Sequence, residues 1–241
     1  MGTRHAAYKA VLDKGYSSEW NDDHVVSFAD EVDHVCDFLG DVLTTHWDTA
    51  QTAAGSAPVI SLVGGAGVGH AFVVLNTGGV TDQTSCMRHE CGGAVDNITS
   101  IADYPVFTTA LQIAAVHTAG NVLEFGFMES GTAAFIDNQD GAYFRILDNT
   151  LFAVTGDGAA ETATVIGAFT EYAHYRIVMV DVAGTDKIYF YVDNMVTPVA
   201  THTENLPDSN LTLKYNLRSK NNVDSTARVE GCALIRNRKT S

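Results

Sequence analysis

Cys86, His89 and Cys91 fall within one six-residue run, Cys-Met-Arg-His-Glu-Cys, whose donors would suit zinc. Their neighbours read as a strand, and on a strand successive side chains point to opposite faces. Cys86, Arg88 and Glu90 then share one face, and Met87, His89 and Cys91 the other. The two cysteines can neither grip one metal nor pair with each other. Buried free thiols are the expectation.

Asp137-Asn138-Gln139-Asp140-Gly141 offers hard oxygen ligands in a turn, with Asp137, Asn138 and Asp140 the candidate calcium ligands. The same residues also suit an ordinary Asp-Gly turn between two strands, and their spacing does not make a calcium loop by itself. No other cofactor is implied. Gly64-Gly-Ala-Gly67-Val-Gly69 is rich in glycine, yet a strand follows it. A phosphate cradle needs a helix N-terminus there, so a hairpin is expected. No serine, histidine and carboxylate stand at a spacing that marks a catalytic triad, although triads assemble from distant positions. Tyr189 and Tyr191 lie on one face of a strand and could stack on a glycan, on a neighbouring subunit or on each other.

The elements that must position these groups are strands. From residue 58 the apolar period is two, with turn signals at Gly64-Gly65, Gly78-Gly79, Asp140-Gly141, Gly156-Asp157-Gly158, Gly184 and Asp193-Asn194. About fourteen strands are expected between Pro58 and Ile235. In Lys187–Asp193, Ile188, Phe190 and Val192 should face inward and Tyr189 and Tyr191 outward. So many short strands without intervening helices imply a large antiparallel sandwich. Twenty-one glycines against four prolines agree with that.

The N-terminal part differs. Phe28, Val32, Val35, Leu39 and Val42 recur at spacings of four, three, four and three, which are those of a helical seam. Two heptads are too short to stand alone, so Phe28, Val32, Val35 and Leu39 are expected to pack against a partner subunit as an oligomer interface, or against the β domain. Before them, Lys14 to Val26 sets Tyr16, Trp20, Asn21 and His24 among acids and serines. Such a stretch cannot build its own core, and its tryptophan gains most by docking into a groove. The expected division is an anchor and short helix over 1–43, then a sandwich over 44–241.

The formal net charge of −15 argues against a nucleic-acid partner. Residues 1–50 hold three basic and ten acidic side chains, and residues 214–241 hold seven basic and two acidic. No apolar run approaches the roughly 20 residues that would span a bilayer, so membrane insertion is not expected. The N-terminus lacks the apolar core of a secretory signal, which implies synthesis in a cytoplasm.

The run YRIVMVDVAGTDKIYFYVDNMVTPVATHT, residues 175–203, resembles the late hairpin of concanavalin A-like, laminin G-like jelly rolls. VLEFGFMESG (122–131) and DGAYFRILDNTLFAVTGDG (140–158) are similar to its middle strands, and residues 44–79 to its opening strands. The resemblance implies an all-β, antiparallel jelly roll over about 44–237. Glycosidases of that superfamily carry their carboxylates in a pattern like Glu-x-Asp-x-x-Glu, with acid and nucleophile about 5 Å apart. Glu124 and Glu129 are five apart and face opposite ways on a regular strand, so no enzyme is expected.

GYSSEWNDDHVV resembles a short G-x-x-x-x-W-N-x-D-H-V signature near the start of tailed-bacteriophage fibre and capsid-appendage proteins, through Gly15, Trp20, Asn21, Asp23, His24 and Val25. That resemblance implies a non-enzymatic virion protein, a capsid decoration or head fibre, held by Tyr16, Trp20, Asn21 and His24. Its partners would be the major capsid protein or another virion protein, and it would be a homotrimer. The alternative is a tail-fibre module that recognises a host-surface glycan, with Tyr189 and Tyr191 on the sugar.

Overall fold

In a computed structural model, the protein is described over residues 32–36, 47–52, 59–63, 72–77, 81–91, 94–95, 99–113, 121–129, 138–219 and 226–235. In chain order the strands are β1 (Val32–Cys36), β2 (Trp47–Thr52), β3 (Val59–Val63), β4 (Phe72–Asn76), β5 (Thr84–Cys91), β6 (Ala94–Val95), β7 (Val106–Ile113) and β8 (Val122–Glu129). They continue as β9 (Gly141–Leu147), β10 (Thr150–Gly156), β11 (Glu161–Ala168), β12 (Tyr172–Val182), β13 (Thr185–Val192), β14 (Ala200–His202), β15 (Leu211–Arg218) and β16 (Thr226–Ile235). A 3-10 turn, Ile101–Asp103, precedes β7. Among the described residues no helix is long and apolar enough to cross a membrane.

Two antiparallel sheets face each other. Sheet A runs β14-β13-β12-β7-β16-β4-β3, with β1 also on β16; sheet B runs β11-β10-β9-β8-β15-β5-β2, with β6 on β5. Alternation assigns each face. In β12, Ala173, Tyr175, Ile177 and Met179 are buried inward, and in β13 so are Ile188 and Phe190. Sheet B answers with Leu123, Phe125 and Phe127 on β8, Phe144 and Ile146 on β9, and Leu213, Tyr215 and Leu217 on β15. Phe125 sits at the centre, stacked at 5.4 Å on Phe144 and edge-on at 4.8 Å to Tyr175. Each such ring stabilises the fold by about 1.5–3 kcal/mol through removal from water. Tyr215 sends its hydroxyl across the core to Thr109 Oγ1 at 2.9 Å, so the buried phenol costs no orphaned donor.

The hairpins follow from local chemistry. Asp148 and Asn149 (φ 48° and 66°) join β9 to β10, and Ala183 and Gly184 (φ 55° and 80°) join β12 to β13. Two residues in the left-handed region make a turn whose twist matches that of paired strands. Asp181 Oδ1 accepts the Gly184 N–H at 2.7 Å and fixes the second of these turns.

One expectation is corrected. Val32 and Val35 do not lie on a helix: Val32–Cys36 is a strand, with Val32 opposite Ile235 and Val35 opposite Ala233. The reason is the length of β16. Its first half pairs with β4 through Thr226–Val229, leaving the same side of Cys232–Ile235 to be paired, and β1 fills it with a register shift between Val32 and His34. Backbone pairing outweighs a helical spacing too short to stand by itself. Sheet A therefore reaches upstream of residue 44, where the sequence places the start of the sandwich.

Candidate functional site

The outer face of sheet B carries an unusual density of buried charge. Cross-strand register builds it in two rows. One runs Phe152, Arg145, Glu124, Asn216, Cys86; the next runs Val154, Tyr143, Gly126, Lys214, Arg88. Each lies one residue from a core position, so alternation turns it away from the interior. Gly126, between Tyr143 and Lys214, leaves the middle of the second row without a side chain.

Arg145 organises the face. Its Nε donates to Glu124 Oε1 at 2.7 Å; its two terminal nitrogens donate to Glu161 Oε1 at 2.9 Å and Oε2 at 3.1 Å. It also donates to the Tyr143 hydroxyl at 3.0 Å, and its guanidinium lies 5.5 Å from that ring's centre. The Glu124 side chain is 1% exposed, against 18% for Arg145 and 25% for Glu161. Burial pushes the Glu124 carboxyl above the ordinary glutamate range, while Arg145 and Lys214 pull it back. Lys214 is fully buried, and burial lowers its ammonium below the usual lysine range. Burial also raises the Tyr143 phenol, with the Glu124 charge adding to the shift. Beside them Met128, Tyr143 and Val154 pack as a small apolar cluster with Phe152.

This geometry is an ion cluster built on one cation. Two carboxylates share one guanidinium. Glu129, the other acid of β8, stands opposite Leu211 and turns to the sandwich side, because β8 pairs with β9 and β15 without a register shift. At the middle position of the glycosidase pattern stands Gly126 with φ 143°, where an added Cβ would lie 2.7 Å from the Ala142 carbonyl oxygen. A carboxylate there requires the backbone to move.

The other candidates fall as follows. Tyr16, Trp20, Asn21, His24, Phe28, Leu39 and Asp137 lie outside the described residues. Asn138 (φ 54°) donates through Nδ2 to the Ala159 carbonyl at 3.1 Å, bracing two loops. Asp140 is 3% exposed; its Oδ2 accepts the Ser209 N–H at 3.1 Å, and its Oδ1 has no hydrogen-bond partner. Burial raises its carboxyl, and the adjacent Asp208 adds to the rise. Asp140 and Asp208 offer oxygen to a hard cation, but Asn138 is turned to the loop of Ala159. Among the described residues no three His, Cys, Asp or Glu side chains gather as a metal site. Cys86 is buried and forms no disulfide, on the face opposite Met87.

Tyr189 and Tyr191 do sit together on the outer face of sheet A, ring centres 6.5 Å apart. Tyr191 is only 5% exposed, and the Arg176 guanidinium lies 5.8 Å from its ring centre. That side of the ring is closed to a sugar. Arg145, Glu161 and Tyr143 escape a sequence reading because they converge on Glu124 only through strand register.

No protein-family model matches the chain. No curated protein matches it either. Solved structures do. A Bacillus licheniformis β-glucanase superposes with a TM-score of 0.59 at 14% identity, covering 85% of this chain and 98% of that one. The carbohydrate recognition domain of Emp47p gives 0.53 at 11%, covering 80% and 89%. A β-1,3-glucanase from Mycobacterium marinum gives 0.55 at 11%, covering 85% and 98%. The fold is a concanavalin A-like jelly roll. At these identities the likeness concerns the fold, which lectins and hydrolases share.

Proposed function

We propose that this protein is a non-enzymatic recognition sandwich, a lectin-type jelly roll that binds saccharide without cleaving it. The observation that supports this most directly is Arg145 holding both Glu124 and Glu161. Retaining and inverting hydrolysis both need two carboxyl groups facing a cleft, one of them free to give up or take a proton. Here the acids of the outer face are joined through one cation, and Gly126 stands where a third would be needed. The sandwich shared with the Emp47p carbohydrate recognition domain supports the binding class.

The finer reading makes it an appendage of a tailed-bacteriophage virion, attached through residues 1–43 by Tyr16, Trp20, Asn21 and His24, as a homotrimer on the major capsid protein or a neighbouring virion protein. Its support is the resemblance of Gly15–Val25 to phage appendage proteins. In that setting the sandwich faces outward toward host-surface glycans.

The test pairs a glycan array on the full chain with a particle-binding assay on a chain lacking residues 1–27. Saturable binding to one sugar class supports recognition, and loss of particle binding by the shortened, folded chain supports the anchor. Release of shorter oligosaccharides from any array member contradicts the non-enzymatic reading.

A further inference from the structure

Among the described residues, Arg228 is a cation without an anion. It stands on β16, half-buried, on the outer face of sheet A. One terminal nitrogen donates to Gln112 Oε1 at 3.1 Å, and its guanidinium lies 5.3 Å from the centre of the Phe72 ring. Among the described residues no carboxylate pairs with it; its Nε is buried without a partner, so the terminal nitrogens are the ones a ligand would meet. A chain with a net charge of −15 has acids to spare, so a guanidinium oriented by an amide and a ring yet left unpaired is a prepared anion site.

Its surroundings give that site a shape. Register places Tyr172, Gln112, Arg228 and Val74 in one row across β12, β7, β16 and β4. Tyr172 is 45% exposed and braced edge-on by His174, ring centres 5.5 Å apart. Two strand spacings separate it from Arg228, about 10 Å along the row. Between them the Gln112 side-chain carbonyl is taken by Arg228, which leaves its amide N–H groups as donors. The row thus presents an aromatic platform, a pair of donors and a planar cation in sequence.

We propose that this row binds an acidic saccharide: a sugar carboxylate, as in a uronic acid, meets Arg228; Gln112 donates to hydroxyls; and the next sugar ring lies on Tyr172. This deepens the recognition reading and rests on it. It moves the sugar from Tyr189 and Tyr191, on the same face, to a row whose aromatic is 45% exposed. Planar, two-pronged pairing with carboxylate and stacking on an exposed ring are the contacts such a ligand needs.

The experiment uses the full chain and matched glycans: oligogalacturonates against their methyl esters, and carboxylated against neutral members of a glycan array. Arg228→Gln, Arg228→Lys and Tyr172→Ala are compared with the unaltered protein after their folds are checked by circular dichroism. The expected result is preference for the carboxylated member of a pair, weakened about tenfold or more by Arg228→Gln. Arg228→Lys should fall between, and Tyr172→Ala should weaken acidic and neutral sugars alike. Equal binding of acidic and neutral partners, or unchanged affinity in Arg228→Gln, overturns the assignment while leaving saccharide recognition standing. Binding to no sugar removes both.

Discussion

Thr155 on sheet B and His202 on sheet A are joined at 2.9 Å, closing one edge of the sandwich. Thr155 donates its hydroxyl proton to the Glu204 carbonyl at 3.1 Å, so it accepts from His202 Nδ1–H. Nε2 is then the acceptor for the Thr164 hydroxyl at 2.9 Å. The ring is 4% exposed and lies against Phe190, centres 5.1 Å apart. The seam is therefore built for neutral imidazole.

Burial lowers the His202 pKa, and the sign of the effect follows. Protonation is harder in the folded chain than in the unfolded one. The stability this gives is present above the unfolded value of about 6.5 and is lost as pH falls through the lower folded value. His202→Gln should flatten that part of the stability curve, read as urea midpoints between pH 7.5 and 4.5. A variant with the parent's pH dependence would remove His202 as its source. Thr155→Val should cost about 1–3 kcal/mol at neutral pH by stranding the Nδ1–H.

The Arg145 cluster makes the opposite pH prediction. Glu124 has a raised pKa, so its contribution is present below the unfolded value and is lost as pH rises through the folded one. Glu124→Gln should thus gain on the parent in melting temperature as pH goes from 4 to 8. Arg145→Met should cost about 3–5 kcal/mol near pH 7, because it leaves a buried carboxylate without its cation. Equal melting temperatures for parent and Arg145→Met would mean that the cluster carries no weight.

Gly126→Asp restores the letter of the glycosidase pattern. At φ 143° the new Cβ would also approach Ile177 Cδ1 to 2.8 Å, so the variant should lose about 1–3 kcal/mol or more and gain no hydrolase activity. A stable Gly126→Asp protein that degrades β-glucan would show that the scaffold is one residue from an enzyme.

Much of the sandwich is legible in the residues, because alternation is a local signal. Ile188 and Phe190 are in the core, with Tyr189 and Tyr191 turned out, as their period of two demands. Val122–Glu129 coincides with β8 residue for residue. The failures occur where a neighbour decides. The apolar period misses Trp47–Thr52, which the jelly-roll resemblance over 44–79 includes and which β5 pairs, while Val32–Cys36 gives up a helical spacing to complete β16. Function was less legible still. Glu124, Arg145 and Glu161 belong to three strands, and Gln112 and Arg228 are 116 residues apart. Only register brings them together, and the tyrosine pair visible in the sequence has one of its rings closed by Arg176.

The central claim, recognition of saccharide without cleavage, is tested most directly by native mass spectrometry of the full chain with array-selected oligosaccharides. The account predicts a saturable complex whose mass is the protein plus the intact oligosaccharide, unchanged after prolonged incubation. Shortened oligosaccharides, or no complex with any sugar tested, would contradict it.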